Sequence, residues 1–391
     1  MRFYDKIPLF SLSVSADSKS FDIPLSYIDS CEIRTDIKNI GASISFQFKD
    51  ETDIMDELPL KEGDVIDMTV ADYANNEVTM KFKVIDVSTI QKAMDISQKN
   101  TVQVRAVSEN SYKMLHNKIY KGFSDKPIKG ILDEIFKGFE GITVDSPDNK
   151  IASIVASGQT IFSFVKRLAK LSAKGDNHGY LFYEDLEGIR FEPLEEIINA
   201  RNKDLNVYVF GEVNERYRYN ILDWEFVQRE DVVNTSIRQI NNTKVVGFDV
   251  EKKAIVENDI KYSDESIKKM GSGSTQRKEK TETKDMQVIY APHHDEQTFK
   301  QQFKSDILFA SFIKKIHVLC NGDFNVNVGD IIYLNHPKKL DNMDFNTQLT
   351  GKWIVEEVVY QFHGEDFKMK MLLTTNATLT DEDKNEKGVI E

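Results

Sequence analysis

Two stretches decide the fold: Lys-Glu-Gly-Asp-Val-Ile-Asp-Met-Thr-Val at residues 61–70, and Asn-Val-Gly-Asp-Ile-Ile-Tyr-Leu-Asn-His at residues 327–336. Each places Gly-Asp ahead of alternating apolar and polar residues, which indicates a turn followed by a strand with one buried face. Each is followed by two further alternating strands in the same order. Three matching strands favour a duplicated β unit over a chance likeness between hairpins.

The duplication predicts which residues are equivalent in the two copies. The second copy is interrupted, because residues 222–226 belong to it and the helical segment between them and the Gly-Asp turn is inserted. The predicted equivalences are Gly63 with Gly329, Asp64 with Asp330, Ile66 with Ile332, Met68 with Leu334, Phe82 with Trp353, and Val84 with Val355.

The first 110 residues have the pattern of short β strands. Asn75-Asn76 lies between two alternating stretches, where asparagine suits the left-handed backbone of a hairpin turn. Five or more strands within about 110 residues are typical of a small barrel or sandwich. The apolar residues alternate with polar ones in several separate stretches. One stretch runs from Ile44 to Phe48, and the others contain Ile66, Met68 and Val70, then Phe82 and Val84, and then Val102, Val104 and Ala106.

The apolar period then changes to that of helices. Ser124 or Asp125 can cap a first helix, and a second helix starts near Thr160 and can end at Gly175. A hairpin follows at residues 180–193. This order predicts a separate α/β unit.

β patterns return at residues 206–238 and from Ile316 onward. Between them, residues 271–285 are polar and of low complexity, which predicts a mobile loop. A long helix is predicted from about Asp295 to Lys315.

Composition limits the functional classes. The 391 residues carry 51 basic and 64 acidic side chains, and this net charge of −13 disfavours a nucleic-acid clamp. No apolar run reaches the length of a membrane helix, and the N-terminus lacks the apolar core of a signal peptide, so we expect neither membrane insertion nor Sec export. The two cysteines, Cys31 and Cys320, exclude a disulfide scaffold, and we expect them to be buried free thiols.

The histidines do not form a predicted metal site. His293 and His294 are adjacent, and their sequence context favours a helix start capped by Asp295. His317, His336 and His363 are isolated.

The remaining candidate motifs have equally plain interpretations. Glu195-Glu196 and Glu356-Glu357 are sequence neighbours, which strands send to opposite faces. The Gly-Ser-Gly-Ser stretch from Gly271 lacks the lysine of a phosphate loop, and no nucleophile elbow is present. We therefore expect no catalytic, cofactor-binding or metal-binding residues and no enzyme activity.

The layout resembles the central baseplate hub proteins of T-even-type contractile-tailed phages. The closest stretches are residues 322–335, 353–362 and 374–379, and the helix at 162–170 with its hairpin resembles the broader hub family of contractile injection systems. The resemblance implies an α+β, mainly β chain with two similar tube-like β-barrel domains and an inserted α/β domain. The long loop at 271–285 departs from that pattern.

The implied domain organisation has six parts. They are a first barrel (1–110), an α/β domain (111–205), the first part of the second barrel (206–240), an insertion with a mobile loop that packs with the α/β domain (241–305), the second part of that barrel (306–376), and an acidic tail (377–391).

The implied function is structural. Three chains would supply six barrels and join a hexameric tail tube to a trimeric central spike. The expected partners are two further copies, the central spike protein, a tail tube or tube-initiator protein and other baseplate proteins. DNA would only pass through the lumen, and the protein would assemble in the host cytoplasm and reside in the tail baseplate of the virion.

Two alternatives stay open. One is the hub of a phage-derived contractile injection or secretion system. The other, from a different class, is a peptidoglycan hydrolase or glycan-binding tail module.

Overall fold

The computed structural model describes most of the chain. The residues described are 10–16, 19–39, 41–51, 54–90, 100–175, 177–194, 196–197, 205–210, 219–228, 243–249, 253–260, 287–290, 312, 314–335, 349–364 and 366–375. The predictions for the loop at 271–285, for His293, His294, His336 and Glu195, for the helix between 295 and 311, and for the tail lie outside these residues.

Antiparallel strands build the first unit. They are β1 (Phe10–Ala16), β2 (Lys19–Asp22), β3 (Ile28–Asp36), β4 (Ser43–Lys49), β5 (Val65–Ala71), β6 (Glu77–Ile90) and β7 (Thr101–Ser108), with a 3-10 turn at Leu25–Tyr27 and a short helix α1 (Ile54–Glu57). Their order in the sheet is β2-β1-β5-β6-β7-β4-β3. The predicted alternating residues are buried, and Asn75 takes the predicted left-handed conformation with φ 69°.

The α/β unit follows directly. Its elements are α2 (Glu109–His116), β8 (Lys118–Pro127), α3 (Ile128–Ile135), β9 (Ile142–Val144), β10 (Lys150–Thr160), α4 (Ile161–Leu171), β11 (Ala173–Lys174), β12 (Asn177–His178), β13 (Tyr180–Glu184) and β14 (Ile189–Pro193). These elements enclose a hydrophobic core of their own, separate from the one that the two β units share. The predicted hairpin is β13 paired with β14.

Two helix ends differ from the prediction. Ser124 and Asp125 lie within β8, and α3 starts after Pro127 without a side-chain cap, because β8 pairs with β10 as far as that proline. Thr160 caps α4 as predicted: its Oγ1 accepts a hydrogen bond from Ser163 N–H. That helix ends at Leu171, before the predicted end at Gly175. The Ala173 N–H donates to Asn149 Oδ1 instead of continuing the helix, and β11 begins there.

The rest of the described chain is β structure. The strands are β15 (Val207–Phe210), β16 (Asn220–Gln228), β17 (Thr243–Asp249), β18 (Ala254–Ile260), β19 (Gln287–Tyr290), β20 (Lys314–Asn321), β21 (Ile331–Asn335), β22 (Gly351–His363) and β23 (Asp366–Thr375). Six of them close into a ring in the order β15-β16-β20-β23-β22-β21, while β17, β18 and β19 form a separate sheet. The predicted mainly β fold with a barrel is confirmed.

Some details of the second unit correct the prediction. The long helix cannot reach Lys315, because β20 begins at Lys314 and pairs with β23. Leu222 and Trp224, which the prediction places in the second unit, lie on β16 and are 36% and 37% exposed. Strand β15 runs parallel to β21, whereas β1 runs antiparallel to β5, so the repeat ends at this strand.

No helix among the described residues has the length and hydropathy needed to cross a membrane.

Candidate functional site: the repeated turns and the joint between the units

The two Gly-Asp turns have matching backbone geometry. Gly63 and Gly329 have φ of 90° and 82°, a region that favours glycine. The Gly63 N–H donates to the carbonyl of Val84 at 2.9 Å, and the Gly329 N–H donates to that of Val355 at 2.8 Å. The predicted equivalence of the two turns is confirmed.

The aspartates of these turns accept the same backbone hydrogen bond in both units. Asp64 Oδ2 accepts from Lys61 N–H at 2.8 Å, and Asp330 Oδ2 accepts from Asn327 N–H at 2.8 Å. A charged acceptor gives a stronger hydrogen bond than a neutral one, so each carboxylate fixes its loop ahead of the strand. The Gly-Asp pair therefore has the same structural role in both turns.

The pairing register of the strands that follow the two turns also matches between the two β units. Ile66 pairs with Phe82, and Ile332 pairs with Trp353, as the equivalences require. A β-bulge follows at the same place in both units, leaving one extra residue, Ile85 in β6 and Glu356 in β22. The two copies thus share backbone irregularities as well as strand order.

The two units are joined through an edge of β22. Its first residues pair with β21, and residues 357–362 of the same edge pair with β3 of the first unit, from Glu357 opposite Asp36 to Phe362 opposite Cys31. This ladder makes the two β units parts of one sheet. Backbone hydrogen bonds along a sheet fix the register between the units.

A buried carboxylate stands at the start of this joint. Glu356, the bulge residue, is only 4% exposed. Its Oε1 accepts from Lys38 Nζ at 2.5 Å, and both oxygens accept from Lys315 Nζ, at 2.7 and 2.8 Å. The Glu356 carbonyl also accepts from Ile37 N–H at 3.0 Å. One bulge residue therefore bridges β20, β22 and the turn after β3.

The two lysines respond differently to their shared carboxylate. Burial lowers the pKa of Lys38, but its hydrogen bond to Glu356 together with the negative charges of Glu356 and Asp36 outweighs burial, so the pKa is raised. Burial together with the nearby Lys38 charge lowers the pKa of Lys315 despite its bonds to Glu356. Two cations around one buried carboxylate make a structural ion cluster, since the buried Glu356 charge depends on the lysines for compensation.

A second contact ties the hairpin turn of the first unit to the second unit. Asp72 Oδ2 accepts from Phe324 N–H at 3.2 Å, and Tyr73 Oη accepts from Phe367 N–H at 3.0 Å. The same aspartate holds the turn that contains Asn75, through Ala74 N–H and Asn76 N–H. The joint is thus fixed at two separate places.

The α/β unit is attached to the first β unit by another buried carboxylate. Glu184 Oε2 accepts from Ser108 Oγ at 2.5 Å, from Ser111 Oγ at 2.6 Å and from Ala42 N–H at 3.3 Å. Burial raises the pKa of Glu184, although the two serine hydroxyls act in the opposite direction. Gly41 lies so close that a Cβ there would meet Glu184 Oε2 at 2.1 Å. A polar cleft of about 410 Å³ opens beside this contact.

The residues considered as candidate sites are not brought together. His317 Nδ1 lies 3.1 Å from Glu225 Oε1, and His363 lies exposed at the end of β22. Glu356 belongs to the lysine cluster, whereas Glu357 accepts from Arg34 Nη2 at 3.0 Å. Glu196 is half-exposed, with Lys174 Nζ at 4.0 Å.

The part of the chain that the structure describes holds no group of three metal-ligating side chains. Cys31 and Cys320 are buried free thiols, as predicted. Sequence reasoning missed the Lys38–Glu356 pair, because its members lie 318 positions apart and no local pattern marks them.

Comparison with known proteins gives a likeness of fold and not of sequence. No family model matches the chain, and no curated protein matches it. Among solved structures, it is similar to the tail protein from Neisseria meningitidis MC58, with a TM-score of 0.60 and 7% identity over 94% of this chain and 97% of that one. It is also similar to the 43 kDa tail protein of prophage MuSo2 from Shewanella oneidensis, with a TM-score of 0.59 and 10% identity over 95% of this chain and all of that one.

This chain has a phage tail protein fold. The resemblance to baseplate hub proteins predicts such a fold. This expectation is confirmed at the level of the fold. A chain of the Francisella PdpA–VgrG complex is a further similar structure, with a TM-score of 0.52 and 10% identity; this chain spans 58% of its length.

Proposed function

We propose that this protein is the trimeric central hub of a contractile tail baseplate. Each chain contributes two matched β units, so three chains present six similar units in a ring. Such a ring is compatible with a sixfold tube on one side and with a threefold spike on the other. The observation that carries the proposal is the match of the two units in turns, register and bulge, together with the tail protein fold.

The proposed partners follow from this role. They are two further copies of the chain, the central spike protein, a tail tube or tube-initiator protein and other baseplate proteins. The hub works through geometry: it anchors the spike and leaves a conduit for DNA when the spike departs. An acidic protein suits such a conduit, because negative charge repels DNA phosphates.

We propose no catalytic role. The carboxylates of Asp64, Asp330 and Glu356 described above serve structural contacts. The proposed location is the tail baseplate of the virion, after assembly in the host cytoplasm.

A second candidate is the hub of a phage-derived contractile injection or secretion system. The likeness to a chain of the Francisella PdpA–VgrG complex favours it. Neighbouring genes discriminate between the two, since head and packaging genes accompany a phage.

Mass photometry with negative-stain imaging of the purified protein, alone and with the spike protein encoded nearby, tests the hub proposal. We expect particles of three chains with a central hole. A strictly monomeric protein under both conditions would refute it. A turbidity assay on purified peptidoglycan tests the hydrolase alternative, and we expect no clearing.

A further inference from the structure

Two buried glutamates of this chain are compensated differently. Glu356 and Glu184 are 4% and 5% exposed. Glu356 binds the ammonium groups of Lys38 and Lys315. Glu184 accepts hydrogen bonds only from two hydroxyl groups and one backbone N–H, and no lysine or arginine in the described part of the chain forms an ion pair with it. Because burial of an ionised carboxylate is costly without a cation, Glu184 lacks the compensation that Glu356 has.

Only one oxygen of the Glu184 carboxylate takes part in these hydrogen bonds. Ser108 Oγ, Ser111 Oγ and the Ala42 N–H all donate to Oε2. The other oxygen, Oε1, has no hydrogen-bond partner among the described residues, and it is not sealed from solvent. Since each carboxylate oxygen has two lone pairs to offer, Oε1 is an acceptor that a ligand can use.

The cleft beside this carboxylate lies between the first β unit and the α/β unit. Its volume is about 410 Å³, and Glu184 is one of the residues that line it. Strand β6 lines the cleft from the first β unit. The start of α2, the chain around Gly138 and the turn between β13 and β14 line it from the α/β unit. Glu184 therefore presents Oε1 to a cleft that both units form.

Most other charged groups of the cleft are engaged within the chain. Asp185 Oδ2 accepts from Arg190 Nε at 2.8 Å, and Asp185 Oδ1 accepts from two backbone N–H groups of its own turn. Arg190 also pairs with Glu187. Lys113 Nζ lies 3.0 Å from Glu109 Oε1 in the first turns of α2. These groups therefore neutralise one another and leave Glu184 without a cation.

Lys81 and Glu140 complete the set of charged groups in the cleft. Lys81 Nζ lies 3.8 Å from Asp67 Oδ1 on the neighbouring strand. Glu140 is exposed, and its carboxylate has no partner among the described residues. The Asn110 side chain donates to the Glu140 backbone carbonyl at 3.1 Å, which holds this residue beside the start of α2. The cleft thus retains two carboxylates, Glu184 and Glu140, that no cation of the described chain neutralises.

We infer that this cleft binds one organic cation, an alkylammonium or guanidinium group, through Glu184 Oε1. Such a group carries both the charge and the N–H donors that this oxygen lacks. A metal ion is a poorer fit, because the described residues hold no group of three metal-ligating side chains, whereas Ca²⁺ and Mg²⁺ take about six or more oxygen ligands. The cation can belong to a free small molecule or to a lysine or arginine of a partner protein. The site does not depend on the proposed hub role.

The Glu184 carboxylate is held in place before any ligand binds. Its three donors fix Oε2. At Gly41, φ is 35° and an added Cβ would meet Glu184 Oε2 at 2.1 Å, so only glycine lets the chain come this close to the carboxylate. A side chain that is already ordered loses little entropy on binding, which favours affinity.

A titration followed by saturation-transfer NMR tests the site, with n-butylguanidinium and acetyl-Gly-Arg-Gly-amide as probes. Mildly alkaline pH is required, because burial raises the pKa of Glu184 and the carboxylate must be ionised to bind a cation. Glu184→Gln should weaken binding about 10–100-fold, since it replaces a charged acceptor with a neutral one. Glu51→Gln is the matched control and should leave binding unchanged. Glu51 is exposed and follows β4, at the end of the sheet opposite Ser108.

Glu140→Lys is a second variant that leaves the hydrogen bonds of Glu184 intact, because the Glu140 side chain is exposed and takes no part in them. The substitution replaces an attraction at an exposed position with a repulsion, so it should weaken binding about 2–20-fold. Thermal melts followed by circular dichroism verify that all three variants are folded.

The two probes also distinguish the sources of the cation. Binding of n-butylguanidinium shows that a free cation suffices, whereas binding of the peptide alone points to a side chain of a partner protein. The inference is wrong if neither probe binds, or if Glu184→Gln or Glu140→Lys binds as tightly as the wild type. Displacement of the probes by an equal concentration of Mg²⁺ would overturn the assignment to an organic cation. None of these results affects the hub proposal, which rests on the two β units.

Discussion

Replacing Trp353 with alanine should weaken the joined β units more than any substitution on their surface. The indole is buried, and its Nε1–H donates to the Leu349 carbonyl at 3.0 Å. It pairs across the ladder with Ile332, so it lies where the repeated motif meets the second strand. Phe82 occupies the same place in the first unit.

The magnitude follows from two losses. Truncating a fully buried large aromatic side chain costs about 3–5 kcal/mol, and a buried carbonyl left without its donor costs about 1–3 kcal/mol. Since neighbouring losses are not additive, we expect a decrease in the free energy of unfolding of about 4–5 kcal/mol. Trp353→Phe, which copies the first unit, keeps most of the apolar contact and should cost about 1–3 kcal/mol.

Urea unfolding followed by far-ultraviolet circular dichroism measures these changes in dilute protein. Trp224→Ala is the matched control, because it removes the other tryptophan, which is 37% exposed. We expect that control to cost under about 1.5 kcal/mol. The reasoning would be refuted if Trp353→Ala and Trp353→Phe lowered the free energy of unfolding equally. It would also be refuted if Trp353→Ala lowered it less than Trp224→Ala does.

Two further predictions concern other residues. Asp64→Ala and Asp330→Ala should each lower the free energy of unfolding by about 1–3 kcal/mol in urea melts. A large difference between the two decreases would contradict the equivalence of the turns. Because burial raises the pKa of Glu184 in the folded protein, its contribution to stability should be greatest below its unfolded pKa of about 4.3 and be lost as pH rises through the folded pKa. Glu184→Gln should remove that part of the pH dependence, which urea melts over a pH series measure.

Local patterns were sufficient for the strands and the repeat. Residues such as Ile66 and Val104 alternate with polar neighbours, and Gly63-Asp64 marks the turn, so both features can be found from short windows of sequence. The same is true of α4, because Thr160 gives a cap and the apolar residues recur at helical spacing.

Other features depended on partners far away in the chain. Ser124 and Asp125 are good caps in isolation, but pairing of β8 with β10 holds them in a strand. Alternation assigns residues 222–226 to a strand of the second unit, yet Trp224 on that strand is 37% exposed. Alternation reports that a strand has an apolar face and does not say whether the same chain covers that face. The ion cluster at Glu356 and the Glu184 contact gave no sequence signal for the same reason.

The ladder between β3 and β22 also sets the timing of folding during synthesis. Arg34 and Glu357, which form an ion pair across it, lie 323 positions apart. At ribosomal rates of about 5–20 residues per second, β3 waits roughly 15–65 s for its partner strand to be made. During that interval a newly made first unit exposes backbone amides that any other nascent strand can pair with. Polysomes, on which several copies emerge side by side, are therefore where wrong pairings between chains would arise, and slower translation would prolong the exposure.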